Sequence, residues 1–182
     1  MSDWVIYGGG GHARVIGDAI KLNEDRLITY FDDNKDLSFI NDIPVLPYHE
    51  NVEQQAKMIL GIGNNEVRRN IARYVVHDFG IVIHPKAIVA SDAVIGEGSV
   101  ILAGAVIQSG AIIGKHVIVN ANVTIDHDVI IEDFCCVYPN SYIGGGARVG
   151  TGAIIEACTA IPRLSTIPKV FEPEEVVALD LY

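Results

Sequence analysis

An aliphatic side chain stands at every sixth position of this chain, without a gap, from Val89 to Ile161. Two positions before each one lies a second inward candidate, usually small, such as Ala87, Ala105 or Ala153. This spacing matches neither the period of an α-helix nor the alternation of a single strand. It is the hexapeptide signature of a parallel β-helix, in which each coil would consist of three hexads. Residues three hexads apart are therefore expected to stack in neighbouring coils, about 4.8 Å apart.

The repeats divide the chain into two expected domains, residues 1–81 and 82–182. The first alternates strand and helix signals, which predicts a small Rossmann-like α/β domain with a parallel sheet covered by helices. The expected strands are Trp4–Tyr7, Leu27–Phe31 and Lys57–Ile62, and the expected helices are His12–Asn23 and about Glu66 to Asp78. In the second domain Pro85 begins the hexads, Pro162 ends them, and an atypical C-terminal tail follows.

The charge balance and the cysteines narrow the class of protein. The chain of 182 residues has 13 basic and 23 acidic side chains, a net charge of −10. Such a charge argues against nucleic acid or an anionic membrane as the main partner. No apolar run approaches the roughly 18 residues of a membrane span, the N-terminus lacks a signal-peptide pattern, and three cysteines make no disulfide framework. We therefore expect a cytoplasmic protein without membrane insertion.

The N-terminal glycines point to a nucleotide. Residues 8–13, Gly-Gly-Gly-Gly-His-Ala, fit the pattern G-x-G-x-x-A between a strand and a helix, and Asp32 and Asp33 follow about 20 residues later. This pattern admits a dinucleotide such as NAD, or a smaller nucleotide whose phosphates bind loop amides and a helix N-terminus. The alternatives are structural: a solvated turn at Asp32–Asn34, and a helix N-cap at Asn64 or Asn65.

The repeats contain one candidate general base, His127, which lies between Asp126 and Asp128 at an expected corner. A histidine can accept a proton near neutral pH, and a neighbouring carboxylate can fix its tautomer. One coil further lies Gly145, whose backbone amide could hold a developing oxyanion. The structural alternatives are an exposed corner histidine and a glycine that serves only the turn. His116 is out of register with His127, so no metal site is expected.

Both parts of the chain resemble one family of enzymes. The motifs are YGGGGHARVI at the start, FDDN after the second strand, GIGNNEVRRNI after the third, HPKAIV at the entry to the repeats and IDHDVIIEDF within them. Over about residues 4–162 they are similar to the sialic-acid O-acetyltransferase and UDP-amino-sugar N-acetyltransferase group of hexapeptide-repeat acyltransferases. The resemblance implies a left-handed β-helix, a homotrimer with active sites between subunits, acetyl-CoA as co-substrate and a place in polysaccharide biosynthesis.

The resemblance also implies roles for single residues. His127 aligns with the general base, Asp128 with the carboxylate that orients it, and Gly145 with a glycine whose amide binds the acyl donor. Asn120 would contact the acceptor sugar, although a corner asparagine can also serve only the backbone. The phosphates of a UDP-type nucleotide would bind Gly10, Gly11 and His12, and its base or ribose would bind Asp32 and Asp33. Gly63 and Asn64 would complete the pocket.

The expected activity is transfer of acetyl from acetyl-CoA to the amino group of a nucleotide-linked amino sugar. Two alternatives stay open: a sugar O-acetyltransferase of the same fold, and a nucleotide-sugar-binding or assembly protein without catalysis. Two departures from the family concern the acyl donor. Cys136 stands where many members have a histidine, and the tail after Pro162 replaces the expected coenzyme-binding end.

Overall fold

The computed structural model describes residues 1–171 as a small α/β domain followed by a three-sided β-helix. The first domain has a five-stranded sheet in the order β3-β4-β2-β1-β5. Its elements are β1 Asp3–Tyr7, α1 Gly11–Leu22, β2 Arg26–Phe31, β3 Phe39–Ile40, β4 Ile43–Leu46, β5 Lys57–Leu60 and α2 Asn65–Ala72. All pairs except β3–β4 are parallel. The predicted Rossmann-like domain is confirmed.

The sheet is covered on both faces, as its sequence requires. Val5 and Ile6 are neighbours in β1, point to opposite faces, and are both fully buried. One face packs on helix α1, which buries Ile16 and Ile20. The other packs on the end of α2 through Ile71. These packed faces fix the position of the loops that follow β1, β2 and β5.

Three boundaries differ from the expected ones. Strand β5 ends at Leu60, two residues before the expected end, and at the next residue, Gly61, a β-carbon would lie 2.6 Å from that of Ala13 in helix α1. Helix α2 ends at Ala72 rather than near residue 78, because Val75 folds back into the core. The strands β3 and β4 were not predicted. They are joined by a two-residue turn, Asn41–Asp42, with both φ angles positive, as in a type I′ hairpin.

The β-helix has fifteen two-residue strands on three faces. Face 1 contains β6 Val82–Ile83, β9 Val100–Ile101, β12 Ile118–Val119, β15 Cys136–Val137 and β18 Ile154–Ile155. Face 2 contains β7 Ile88–Val89, β10 Val106–Ile107, β13 Thr124–Ile125, β16 Tyr142–Ile143 and β19 Ala160–Ile161. Face 3 contains β8 Val94–Ile95, β11 Ile112–Ile113, β14 Ile130–Ile131, β17 Arg148–Val149 and β20 Thr166–Ile167. The predicted left-handed parallel β-helix is confirmed.

The six-residue ladder forms the core of this β-helix. The aliphatic positions from Ile101 to Ile161 all belong to one buried cluster, together with the small positions two residues before them except Ser99, Ser141 and Thr159. Paired strands come from successive coils, as in Ile107 and Ile125, so each coil covers the apolar side chains of the next. Each hexad from Gly98 to Leu164 also has one residue with a positive φ, which turns the corner. No coil buries its side chains alone, so the coils are stable only as a stack.

The prediction that the repeat ends at Pro162 is wrong. Strand β20 pairs with β17, so the ladder continues to Ile167, and at the other end β6 pairs with β9 and brings in Ile83. Pro162 fits inside the ladder for a simple reason. Its counterpart one coil earlier, Gly144, donates its amide towards the end of the stack, to the Ile161 carbonyl. Pro162 lies in the last described coil, so among residues 1–171 its missing N–H removes no bond of the ladder.

The two domains share a core. Val82, Val100 and Leu102 of face 1 are buried together with residues of the sheet and of helix α1, including Trp4 and Ile20. Face 1 is therefore the side of the β-helix that the first domain covers. Within the described part of the chain, no helix is long and apolar enough to span a bilayer. The sequence also predicts that the C-terminal tail caps the β-helix through Val170, Phe171, Val176 and Val177. Val176 and Val177 lie outside the described residues.

Candidate active site

His127 lies at a corner between faces 2 and 3, two residues after the end of strand β13. Its Nδ1 is 2.8 Å from Oδ2 of Asp128, and 47% of its side chain is exposed. Asp128 has a φ of 57°, so it is the left-handed residue of this hexad, and this geometry turns its short carboxylate back to the ring. If Asp128 accepts a hydrogen bond from Nδ1–H, then Nε2 carries the lone pair of the ring and can act as the base. Of the two flanking aspartates, Asp128 is the one hydrogen-bonded to the ring, while Oδ1 of Asp126 lies 4.0 Å from Nε2.

Asp126 has a different task. Its Oδ1 accepts from the amide of His127 at 2.7 Å, and its Oδ2 accepts from the hydroxyl of Tyr142 at 2.7 Å and from the amide of Gly145 at 3.2 Å. The Tyr142 hydroxyl in particular lowers the pKa of Asp126 below its usual value. Asp126 is therefore a carboxylate that joins the His127 corner to the next coil. Nothing in the repeat count identified Tyr142, although it pairs with Thr124 in the ladder.

Gly145 stacks on His127, as the count along the repeat predicts. A β-carbon on Gly145 would lie 2.8 Å from Nε2 of the imidazole. The ring therefore rests on the bare backbone of the next coil, and the absence of a side chain there is a steric requirement. The amide expected to hold an oxyanion is present at this place, and Asp126 is its acceptor.

The glycine loop of the first domain lies at the carboxyl ends of the strands. Gly10 is the N-cap of α1 and has no side-chain cap, and β-carbons on Gly10, Gly11 or Gly63 would meet nothing within 4 Å. These backbones are therefore open on one side, next to a helix N-terminus that favours an anion. His12 follows, and burial lowers its pKa to about 4, so its ring is neutral at pH 7.

The two aspartates after β2 are already hydrogen-bonded. Asp32 accepts from the amides of Gly9 at 2.6 Å and of Asn34 at 2.8 Å, so it closes its own turn and holds the glycine loop. Asp33 accepts from the hydroxyl of Tyr7 at 3.2 Å. The turn that was the structural alternative for Asp32 is thus present, and the carboxylate of Asp33 is fixed beside the same loop.

Two asparagines serve the backbone in this structure. Asn64 caps helix α2, because its side chain accepts from the amide of Val67 at 3.0 Å. Asn120 donates to the carbonyl of Val137 at 2.9 Å and contacts the sulfur of Cys136 at 3.7 Å. Cys136 is buried on face 1, beneath the first domain. The structure thus groups His127, Asp128 and Gly145 at one corner, while among residues 1–171 no hydrogen bond joins them to Asn120 or to the nucleotide loop.

Comparisons with known proteins agree with this architecture. Residues 3–75 match the model of the PglD N-terminal domain, and residues 92–127 match the model of the bacterial transferase hexapeptide of six repeats. The acetyltransferase domain of PglB from Neisseria gonorrhoeae is 29% identical with a TM-score of 0.73, over 93% of this chain and 89% of that one. These matches confirm the resemblance of the chain to the hexapeptide-repeat sugar acetyltransferase group.

Two further solved structures are similar to this chain. The same PglB domain in complex with acetyl coenzyme A is 27% identical with a TM-score of 0.74, over 91% of this chain and 92% of that one. A mutant of perosamine N-acetyltransferase from Caulobacter crescentus, in complex with CoA and GDP-perosamine, is 24% identical with a TM-score of 0.78, over 93% and 92%. Because the identity to perosamine N-acetyltransferase is only 24%, this similarity shows a shared fold and nothing more. No curated protein sequence is significantly similar to this chain.

One further residue of note was not identified from the sequence. Arg68, in the motif GIGNNEVRRNI, is almost completely buried between helix α2 and the β-helix. Its only sequence signal was its place in that motif, where it reads as one charge of a solvated helix. Among residues 1–171 no three His, Cys, Asp or Glu side chains are grouped so that they could hold a metal ion.

Proposed function

We propose that this protein transfers acetyl from acetyl-CoA to the amino group of a nucleotide-linked amino sugar. The observation that carries the proposal is the His127 corner, where Nδ1 lies 2.8 Å from Asp128 and the ring rests on Gly145. It combines a base, a group that orients it and a backbone amide in two adjacent coils. A similar solved structure, the PglB acetyltransferase domain, holds acetyl coenzyme A.

The proposed reaction is a direct attack. Asp128 accepts from Nδ1–H of His127, so Nε2 is free to take a proton from the sugar amine as its nitrogen bonds to the thioester carbonyl carbon. The electrons of the C=O bond move to oxygen and form a tetrahedral oxyanion. When the C–S bond breaks, the imidazolium returns the proton to the sulfur, and CoA leaves as the free thiol. Asp128 stabilises the imidazolium between these two steps.

The oxyanion needs a donor, and the position of the Gly145 amide supports this role. It lies beside the ring of His127 and donates to Oδ2 of Asp126. In the proposed reaction the acyl oxygen replaces that carboxylate oxygen as the acceptor, while Asp126 keeps its bonds to Tyr142 and to the His127 amide. A backbone donor aimed at developing charge typically contributes a factor of about 10² to 10³.

The acceptor nucleotide is proposed to bind the first domain. The open backbones of Gly10, Gly11 and Gly63 and the N-terminus of helix α1 suit a diphosphate. Neutral His12 can donate one hydrogen bond there, and Asp33 faces the same loop. A UDP-type sugar is the expected acceptor. GDP-linked sugars are the competing class, since the perosamine N-acetyltransferase is in complex with GDP-perosamine.

We also propose that the protein works as a homotrimer. Faces 2 and 3 flank the His127 corner and carry exposed apolar side chains, of which Ile88, Val94 and Ile112 are 67%, 57% and 45% exposed. Val94 and Ile112 are paired in adjacent strands of face 3, and exposed apolar side chains that lie side by side indicate an interaction site. A second copy of the chain at these faces would bring its own residues next to His127.

The test is an assay of CoA thiol release with UDP- and GDP-linked amino sugars, with product analysis for acetyl on nitrogen or oxygen. We expect His127→Ala to lower kcat by about 10² to 10⁴. His84→Ala, which removes another histidine of the β-helix, is the matched control and should leave kcat unchanged. A His127→Ala protein with wild-type turnover would refute the mechanism. Acetyl on a hydroxyl would establish the O-acetyltransferase alternative, and binding without turnover in the wild type would establish the non-catalytic one.

A further inference from the structure

Arg68 is a charged side chain inside the protein. It is 1% exposed, and burial lowers the pKa of its guanidinium to about 10, so the group stays protonated at pH 7. Within residues 1–171 it has no carboxylate partner, and its hydrogen-bond acceptors are carbonyl and side-chain amide oxygens. A buried charge is costly unless every donor is used. The acceptors of Arg68 therefore indicate why the charge is there.

One set of acceptors belongs to the β-helix. Nε donates to the carbonyl of His116 at 3.0 Å, and Nη2 donates to that of Phe134 at 3.1 Å. The side chain of Asn65, which accepts from Arg68 at 2.8 Å, donates to the carbonyl of Gly152 at 3.0 Å. His116, Phe134 and Gly152 are each separated by three hexads, so they occupy one corner in three successive coils.

This corner has carbonyls that the ladder leaves unpaired. His116, Phe134 and Gly152 all have positive φ angles, of 55°, 58° and 76°. Their amides donate to the preceding coil, whereas their carbonyls receive no backbone amide in the described part of the chain. Under the first domain these oxygens are shielded from water, and an unpaired buried carbonyl is costly. Arg68 and Asn65 provide the missing donors.

The other set of acceptors belongs to the loop after strand β5. Nη1 of Arg68 donates to the carbonyl of Ile62 at 2.9 Å and to that of Gly63 at 3.3 Å. Asn64, the next residue, is the N-cap of α2. Gly63 has one open side, and this loop lies beside the glycine loop because Gly61 donates its amide to the carbonyl of Tyr7. A single guanidinium thus ties the wall of the nucleotide pocket to the coils of the β-helix.

We propose that Arg68 is a positioning residue that fixes the acceptor-binding loop Ile62–Asn64 on the β-helix, so that the bound sugar is held at a set distance from the acyl-transfer corner. The proposal rests on the proposed function for the site itself. Holding this loop on the β-helix requires the planar guanidinium group, because its five N–H donors reach oxygens on both domains at once. A lysine ammonium offers three donors from one point and cannot span these acceptors.

The experiment compares Arg68→Lys and Arg68→Met with the full-length wild type. Hydrogen exchange of the α2 amides, Asn65–Ala72, reports the pinning, and we expect both variants to exchange about tenfold or more faster. Steady-state kinetics report the consequence. We expect kcat/KM for the acceptor sugar to fall by about 10², as for a misplaced substrate, with the KM for acetyl-CoA unchanged.

The matched control is Arg26→Met, which removes an exposed guanidinium paired with Asp3 in the same domain. It should change neither readout. Wild-type exchange and kinetics in Arg68→Lys would overturn the proposal, and so would lower stability with unchanged acceptor kinetics. If Arg68→Met does not fold, Arg68→Lys decides alone, because it keeps the charge and loses the guanidinium; faster exchange of the α2 amides supports the pinning, and wild-type exchange refutes it.

The proposed function and the positioning role of Arg68 can be refuted separately. A wild type that acetylates no nucleotide-linked amino sugar refutes the proposed function and the acceptor role of the loop with it. The exchange of helix α2 then still supports or refutes the pinning, since it requires neither substrate.

Discussion

The imidazole of His127 rests on the backbone of Gly145: a β-carbon at residue 145 would lie 2.8 Å from Nε2 and 3.0 Å from Cε1 of the ring. Two residues far apart in the chain are in contact because they occupy the same corner of adjacent coils. The contact places the nitrogen proposed as the base beside the amide proposed as the oxyanion donor. It also makes the size of residue 145 a requirement of the site.

Gly145→Ala should therefore impair the reaction with little effect on the fold. Its φ lies outside the left-handed region, so alanine meets no backbone strain, and the methyl group instead displaces the ring of His127. We expect kcat to fall by about 10². The same substitution in a His127→Ala background should cost nothing more, because both act through one ring. Independent, multiplying effects on kcat would contradict the contact as the cause.

Asp128→Asn tests the group that orients the base. Asparagine tolerates the positive φ of residue 128 and keeps its shape, but an amide cannot stabilise the imidazolium as a carboxylate does. We expect kcat to fall by about 10² or more, with thermal unfolding unchanged. The control is Asp92→Asn, because Asp92 occupies the same corner position two coils earlier, where its neighbour is Ser91. An equal loss of kcat in the two variants would mean that turnover depends on the carboxylate at this corner position in general, and not on the pair of His127 and Asp128.

Ile112→Asp tests the homotrimer. Ile112 points outward from face 3 and is 45% exposed in the single chain, so a charge there does not disturb the core. If face 3 packs on a second copy, the buried charge should dissociate the assembly and abolish turnover. Sedimentation should show three times the 19.7 kDa chain for the wild type and a single chain for the variant. Leu22→Asp, at an exposed position of helix α1, is the control, and a wild-type monomer with full activity would refute the trimer.

The parts of this structure that the sequence predicts are those set by short, regular spacing. Each inward side chain packs on residues in the neighbouring hexads and in the coils above and below, so the pattern that builds the core is visible along the chain. The stacking of Gly145 on His127 follows from the same count. The hairpin β3–β4 is too short for a periodic signal, and Pro44 within it is not typical of a strand.

The parts that could not be predicted depend on contacts between elements. Arg68 reads as a solvated charge because its burial arises only when helix α2 docks on coils that follow much later in the chain, near His116 and Phe134. Asp126 reads as one of two equal neighbours of His127, and its bonds to Tyr142 and Gly145 depend on side-chain torsions across coils. The count gives the position of a residue on the corner, and packing decides which oxygen bonds to which donor.

His116 makes the stability of the protein depend on pH. Its ring is 5% exposed and stacked on Phe134 with centroids 4.9 Å apart, and its Nδ1 has no hydrogen-bond partner in the described residues. Burial lowers its pKa to about 4, from 6.5 in the unfolded chain. Between pH 4 and pH 6.5 this histidine is protonated in the unfolded chain and neutral in the native state, so the free energy of unfolding falls as the pH falls. The contribution of neutral His116 to the free energy of unfolding is complete above about pH 6.5. It is lost as the pH falls to about 4, and the loss reaches about 3 kcal/mol.

His116→Phe should remove that dependence and keep the fold. Phenylalanine suits the position, because Phe134 occupies it one coil later with a φ of 58°. We expect the free energy of unfolding to equal or exceed that of the wild type at pH 7, and the advantage of the variant to grow as the pH falls from 6.5 to 4. Urea unfolding across this range measures the difference, and His12, whose pKa is also about 4, is present in both proteins and cancels. His116→Asn should lose the same pH dependence but be less stable at pH 7, because the space beside Phe134 is unfilled. Parallel curves for wild type and His116→Phe would show that His116 is not the titrating group.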